Sequence, residues 1–218
     1  MEEEDLQTAI RERRVESRFG NRLDRFLPQG QLDRLVTRQS ILEAMKIEED
    51  EVEEEDEILV AFVLQEAKKL FAILVTTRHS RLQEAMLLFQ KHDFNDFKLP
   101  VEEWKGQMFS DAQHPFFKMQ GVRKKKDMVW DRSLIYDFQD KQWEFLAPII
   151  STEETNHCYG NNVIMPFVAQ IASFAEGSFG VVSKYEIHED HIVIRDASQQ
   201  MTKPVCTAFS QHYGSDKV

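Results

Sequence analysis

The segment 58–75, ILVAFVLQEAKKLFAILV, constrains the fold most, because it is apolar around most of a helical circumference. A helix of this kind is normally buried at the centre of a bundle. Two pairs of polar residues, at 65–66 and 68–69, interrupt the apolar run and argue against a membrane span. The pattern predicts one helix over 58–77 that other helices cover.

Helix-start patterns occur on both sides of this segment. Ser40 and Glu43 have the spacing of a capping box, in which each side chain satisfies an amide at a helix start. Ser80 and Gln83 repeat that spacing ahead of an apolar pattern of helical period. Together with the central helix, these signals predict three packed helices within residues 31–95.

Charge marks two further segments. Residues 1–26 alternate acidic and basic side chains, which predicts a charged, partly helical arm. The block 48–57, EEDEVEEEDE, holds nine acidic residues in ten, and mutual repulsion predicts a solvated loop there. The alternative is a docking strip for a basic partner.

Residues 96–165 contain prolines scattered among aromatic residues and show no extended periodicity of apolar residues. We expect an irregular, aromatic-rich segment wrapped over the helices, with one short helix near 133–146. Trp143 and Phe145 are expected to anchor it. The arm is thus followed by a helical domain over 27–165, and a hydrophobic ligand pocket among its aromatic residues is an alternative use of them.

The last segment, 166–218, alternates apolar and polar residues and is rich in β-branched and aromatic types. Two strands meeting at a turn between Gly177 and Gly180 predict a β-hairpin or small antiparallel sheet. His188 and His191 flank two acids in HEDH, which we interpret as a solvated hairpin end rather than a zinc site. The predicted fold class is α+β.

Composition limits the partners and the compartment. A net charge of −11 argues against non-specific nucleic-acid binding and against docking to an anionic membrane. Cys158 and Cys206 are far apart and lack a partner motif, as in proteins of reducing compartments. With no apolar leader pattern at residues 1–14, we expect an intracellular, cytoplasmic protein. RKKK at 123–126 leaves a nuclear location as the alternative.

The stretch FAEGSFGVV, 174–182, resembles the glycine loop of protein kinases. From Phe26 to His191 the chain resembles the N-terminal part of a family of fungal protein-kinase-domain proteins, in which a helical domain precedes the kinase fold. The resemblance rests on the order and spacing of FLPQGQLDRLVT, AKKLFAILV, LFQKHDF, KQWEFLAPII, MPF and GSFGVVSKYEIHEDH. It implies that 166–218 is the start of a kinase N-lobe, truncated after its first strands.

The kinase pattern G-x-G-x-x-G-x-V aligns with four positions, so that alanine replaces the first glycine. The candidate nucleotide-binding residues are these four and the two residues of the turn, namely Ala175, Gly177, Ser178, Phe179, Gly180 and Val182. Glycine serves in such loops because backbone amides must approach phosphates without a Cβ in the way.

In the kinases that the chain resembles, phosphoryl transfer requires a lysine on the third strand, an H-R-D aspartate and a D-F-G aspartate that holds magnesium. The third strand is expected near 202–210, where the apolar run contains no lysine and Lys203 precedes Pro204. Neither H-R-D nor D-F-G occurs in the sequence. We therefore expect no catalytic residues, no metal and no cofactor, with ATP binding weak at most.

Two functions follow as hypotheses. The first is a non-catalytic, kinase-like regulatory or protein-interaction module, which binds its partner through the acidic block 48–57 or an exposed strand edge. The alternative is a small-molecule enzyme or ligand carrier with a pocket in the helical domain. A deep pocket with convergent polar groups of shifted pKa would favour the second; a flat surface and an uncovered strand edge would favour the first. A truncated gene product is a third hypothesis.

Overall fold

The structure, a computed structural model, describes residues 5–19, 23–104, 107–111, 114–117, 129–130, 132–151, 158–177, 180–193 and 205–211. The helices are α1 (Leu6–Glu12), α2 (Gln29–Leu35), α3 (Arg38–Met45), α4 (Glu54–Glu66), α5 (Lys68–Thr76), α6 (Leu82–Lys91) and α7 (Arg132–Lys141). The strands are β1 (Val15–Glu16), β2 (Arg25–Phe26), β3 (Glu102–Trp104), β4 (Gln107–Asp111), β5 (His114–Phe117), β6 (Ile150–Ser151), β7 (Phe167–Gly177), β8 (Gly180–Ile187), β9 (Ile192–Val193) and β10 (Val205–Gln211). The predicted α+β class is confirmed. Among the described residues, no helix combines the length and the apolar character that a bilayer crossing needs.

α5 lies at the centre of the larger hydrophobic core. Its residues 70–74 are all fully buried, and it contacts α1, α2, α4, α6 and α7. A short helix can be buried around its whole circumference only when neighbours surround it. The predicted buried helix at the centre of the bundle is therefore confirmed for this part of the segment.

The prediction of a single helix over 58–77 is wrong, because the segment forms two helices separated at Ala67. The backbone of Ala67, with φ −137° and ψ 30°, leaves the helical region. The carboxylate of Asp96 accepts hydrogen bonds from the backbone N–H groups of Lys69 (2.9 Å) and Leu70 (3.0 Å). These bonds satisfy donors that a helix start leaves unpaired, so a residue distant in sequence stabilises the beginning of α5.

Five helices, α2 to α6, occupy the region in which three were predicted. The N-cap of α3 is Thr37, whose hydroxyl accepts the N–H of Ser40 while the Ser40 hydroxyl accepts the N–H of Thr37. The predicted box with Ser40 as N-cap is therefore one turn too late. α6 begins at Leu82 without a side-chain cap, so the box predicted from Ser80 and Gln83 is also wrong.

The acidic block 48–57 is divided between a 3-10 turn, Glu49–Glu51, and the first turn of α4. Most of its side chains are exposed, as predicted, but its second half is helical rather than loop. Negative charge is favourable there because the helix N-terminus carries a partial positive charge. Arg38 contacts two of its carboxylates, Glu49 at 2.6 Å and Glu57 at 2.5 Å.

The N-terminal residues are partly helical, as predicted, but they pack into the fold rather than extending from it. Ile10 on α1 is fully buried in the larger core. The hydroxyl of Ser17 donates to the carbonyl of Met165 at 2.6 Å, and the backbone N–H of Arg18 donates to the carbonyl of Phe167 at 2.7 Å. The sequence gives little sign of this packing, because the buried residues of α1, Ala9 and Ile10, lie among many charged residues.

Residues 96–165 contain more regular structure than predicted. The short helix is confirmed as α7, and β3, β4 and β5 form an antiparallel sheet in chain order that the sequence did not indicate. Phe145 is buried in the larger core, and Trp143 packs on a smaller cluster of Phe26, Ala147 and Ile164. Phe145 therefore anchors this segment on the helices, as predicted, whereas the cluster under Trp143 lies outside the helices.

The C-terminal strands form a three-stranded antiparallel sheet in the order β10-β8-β7. β7 and β8 are the predicted hairpin, with Gly177 opposite Gly180. Phe167, Tyr185 and Ile187 bury its base, and the rings of Phe167 and Tyr185 stack with centroids 4.8 Å apart. A short parallel pair, β6 with β9, connects this end of the chain to the segment after α7.

His191 and Asp190 hold the end of the hairpin against the start of α2, and we call this contact the 190–191 latch. The backbone N–H of Gln29 donates to Nε2 of His191 at 3.3 Å, and the backbone N–H of Gly30 donates to Oδ2 of Asp190 at 3.1 Å. His191 is 2% exposed. The predicted solvated hairpin end is therefore wrong, because this turn is an internal contact between two distant segments.

Candidate functional site: a glycine hairpin and an open cleft

The end of the β7–β8 hairpin brings together four of the six candidate nucleotide-binding residues. Ala175 pairs with Val182, and Gly177 pairs with Gly180. The register of β7 is irregular between Ser173 and Ala175, so the strand is bulged just before the turn. The two remaining candidates, Ser178 and Phe179, lie outside the described residues.

The strand after the hairpin lies where the sequence predicts a third strand. β10 pairs with β8 over seven residues in unbroken antiparallel register, with Thr207 opposite Lys184 and Phe209 opposite Val182. Its sequence, VCTAFSQ, contains no lysine. Lys203 and Lys217, the lysines that flank it in sequence, lie outside the described residues. A lysine therefore does not occur on the strand where the kinase pattern would require one.

A second surface is an open cleft of about 740 Å³ beside α7. One wall is the segment around β2, with Asp24 and Arg25, and the other is the exposed face of α7. Its lining also includes Tyr136, Trp143 and Ile164. The sequence places these residues in three distant segments, and the tertiary structure brings them to one opening.

Arg14 and Glu144 form an ion pair at this cleft, and their side chains are 14% and 15% exposed. Lys141 Nζ donates to Oε1 of the same Glu144 at 2.9 Å. The pair joins the N-terminal segment to the turn after α7, and it satisfies both charges. Its contribution is structural, because each group already has its counter-ion.

Two groups with shifted pKa, the half-buried Asp96 and the buried His191, lie away from the cleft. Burial raises the pKa of Asp96 above its usual range, although two backbone N–H donors oppose the shift. Burial lowers the pKa of His191, although its hydrogen bond with the carbonyl of Pro148 opposes the shift. Both groups bond to the backbone of the fold itself, which assigns them a structural role.

Within the described residues, no group of three or more histidine, cysteine or acidic side chains has the arrangement of a metal site. Cys158 is exposed and unpaired, and the neighbouring His157 lies outside the part of the chain that the structure describes.

Sequence reasoning found the glycine turn but missed the cleft. The turn has a local signal, two glycines at fixed spacing. The cleft has none, because Asp24, Asp137 and Trp143 belong to different elements and no period links them. The available hint was the helical repeat of α7, which places Tyr136 and Asp140 on one face.

Comparison with known proteins supplies no family. No protein-family model, no curated protein and no solved structure matches the chain. The kinase resemblance therefore stays a prediction carried by the sequence motifs quoted above.

Proposed function

We propose that this chain is a non-catalytic, kinase-like regulatory module that binds a protein partner. The observation that carries the proposal is the third strand: β10 follows the glycine hairpin at the expected place and has no lysine for the phosphates. Positioned charges supply nearly all of the catalysis in phosphoryl transfer. Neither an H-R-D nor a D-F-G aspartate occurs in these 218 residues, so none of them supplies the magnesium ligands of the kinase pattern.

Two observations support the interaction part of the proposal. In the described residues, β7 and β10 each pair with β8 alone, and the backbone contact from Arg18 reaches only the first residue of β7. Uncovered strand edges are sites at which another chain can add. The cleft beside α7 is open and lined by aromatic and charged side chains; charged groups at an interface contribute to the selection of a partner and to the rate of association.

The alternative, a ligand carrier in the helical domain, has less support. Its aromatic residues contact one another: the ring centroids of Phe89 and Phe94 are 5.4 Å apart, and those of Phe89 and Trp130 are 5.6 Å apart. Rings at these distances fill the space that a ligand would occupy. We place the module in the cytoplasm, with the nucleus as the alternative, since Cys158 is an exposed free thiol.

An ATP titration by calorimetry, with and without magnesium, tests the non-catalytic assignment. We expect a Kd no tighter than about 1 mM, or about 4 kcal/mol of binding free energy, and no magnesium dependence. The net charge of −11 also opposes a polyanion through a long-range interaction that salt screens. The Gly177→Val variant should bind ATP as poorly as the wild type. Micromolar, magnesium-dependent binding that this variant loses would overturn the proposal.

A further inference from the structure

We infer that the 190–191 latch is a proton-operated joint between the helical region and the C-terminal sheet. A second proton on the imidazole of His191, at Nε2, releases the turn after β8 from the start of α2, while the rest of both regions stays folded. The joint works without a partner or a nucleotide, so it goes beyond the proposed function.

The latch connects two hydrophobic cores that share no buried residue within the described part of the chain. On one side, Ile187 and Ile192 flank the turn 188–191 and pack in the core of the C-terminal sheet. On the other side, Leu27 and Leu32 flank the bonded N–H groups and are buried in the larger core of the helices. Loss of the latch therefore removes a contact between the cores and leaves the packing inside each of them.

Both nitrogens of the His191 ring are occupied, which makes the contact sensitive to protonation. Nε2 accepts the N–H of Gln29 at 3.3 Å, and Nδ1 lies 3.1 Å from the carbonyl of Pro148. A proton on Nε2 turns that acceptor into a donor that faces another donor, so the charged ring loses its bond with Gln29. Because the ring is 2% exposed, the charged form gains hydration only when the turn moves away from α2.

The charged groups that act on this imidazole are His188 and Asp190 on the same turn and Lys69 at the start of α5. α2 presents the N–H of Gln29 to it, β2 an aromatic ring, and the segment before β6 a backbone carbonyl. Burial lowers the pKa of His191, the bond with that carbonyl and the charge of Asp190 oppose the shift, and the charges of His188 and Lys69 add to it. The released imidazole, with a pKa of about 6.5, therefore takes up the proton first, and acidification below about pH 6.5 favours release.

The backbone N–H groups of Gln29 and Gly30 report directly on the latch. They belong to the first turn of α2, where a helix supplies no acceptor of its own, and they bond to His191 and Asp190. Amide hydrogen exchange of the wild-type protein, followed by NMR and expressed as a protection factor relative to the intrinsic rate, measures how often the latch opens. We expect the protection of both groups to fall about tenfold between pH 7 and pH 5. Constant protection over this range would overturn the inference.

Low concentrations of urea separate local release from global unfolding in the same wild-type protein. Release of one turn exposes little surface, so the exchange of Gln29 and Gly30 at pH 5 should hardly change with urea. The N–H groups of Phe71 and Leu74 in the buried helix α5 should be far more protected, and their exchange should rise steeply with urea. Equal protection and equal urea dependence in the two sets would mean that acid unfolds the whole protein, and the assignment of a joint would be wrong.

The His191→Gln variant identifies the titrating group, because glutamine keeps an acceptor for Gln29 and a donor for the opposite carbonyl but binds no proton. Protection at Gln29 and Gly30 in this variant should change less than about twofold between pH 7 and pH 5. His92→Gln, at an exposed position directly after α6, is the matched control and should keep the loss of protection, as should His188→Gln. Persistence of the pH dependence in His191→Gln, or its disappearance in His188→Gln, would overturn the inference.

Discussion

His191 and Gln142 are buried polar side chains whose hydrogen-bonding atoms meet backbone groups of distant residues. Gln142 accepts from the N–H of Val101 and donates to its carbonyl, both at 2.8 Å. Nε2 of His191 accepts from Gln29, and its Nδ1 lies 3.1 Å from the carbonyl of Pro148. The neutral imidazole with its proton on Nδ1 satisfies both contacts, whereas a second proton on Nε2 would oppose the N–H of Gln29.

Stability should therefore fall as the pH is lowered through the His191 transition. Burial holds the folded pKa of His191 below its unfolded value of about 6.5, and the charges of His188 and Lys69 lower it further, while Asp190 acts in the opposite direction. The unfolded chain binds the extra proton first. The contribution of His191 is thus complete above about pH 6.5 and is lost between there and the folded pKa.

The His191→Gln variant tests this, because glutamine can accept from Gln29 and donate to Pro148 but does not titrate. Urea unfolding between about pH 5 and pH 7 should show a free energy that depends less on pH in the variant than in the wild type. An identical slope in both proteins would mean that His191 does not set this dependence.

α5 shows how a neighbouring element decides where a helix begins. Good helix-forming residues, QEAKK at 65–69, connect α4 to α5, and local propensity alone would join the two helices. The carboxylate of Asp96 instead occupies the N–H groups of Lys69 and Leu70, while the chain turns at Ala67. This is an N-cap made by a residue that is 26 positions from Leu70.

Replacing Asp96 by alanine should lower the free energy of unfolding by about 1–2 kcal/mol, because it leaves two N–H groups at a partly buried helix start without their acceptor. Asp50→Ala, at an exposed position in the 3-10 turn, is the matched control and should change stability by less than about 0.5 kcal/mol. Denaturant unfolding of both variants gives the comparison; equal effects would show that the cap contributes nothing.

The 190–191 latch joins two segments that are 160 residues apart in the chain. It holds the turn after the hairpin against the start of α2. β9 follows the latch directly in the chain and pairs with β6. A Cβ at Gly30 would meet Oδ2 of Asp190 at 2.7 Å, so a side chain there would displace the Asp190 carboxylate from its hydrogen bond with the Gly30 N–H. The helical region and the C-terminal sheet are therefore coupled at a named pair of residues.

A double-mutant cycle on Gly30→Ala and Asp190→Ala measures this coupling. Each single change should destabilise the protein by about 1–2 kcal/mol, the first through the close contact and the second through the lost hydrogen bond. The double variant should lose less than the sum, by about 0.5 kcal/mol or more, because removing Asp190 also removes the clash. Simple additivity in chemical unfolding would contradict the contact.

Patterns that depend on near neighbours could be read from the sequence. The burial of Leu70 to Leu74, the helix α7 and the turn between Gly177 and Gly180 follow from apolar period and glycine placement, which act within a few residues. The α+β class follows from the same signals. Of the candidate site, this local information located the hairpin and the lysine-free third strand.

Only the tertiary structure decided the features that join distant segments: the break at Ala67, the burial of His191 and the cleft between α7 and the segment around β2. A short polar run such as HEDH is solvated by default, and it becomes an internal contact only when the backbone donors of Gln29 and Gly30 reach it. The physical reason is that an unpaired buried polar group costs free energy until a partner is found. Where that partner is more than a hundred residues away, as for His191 and Asp190, the local hydrophobic pattern of the sequence contains no information about it.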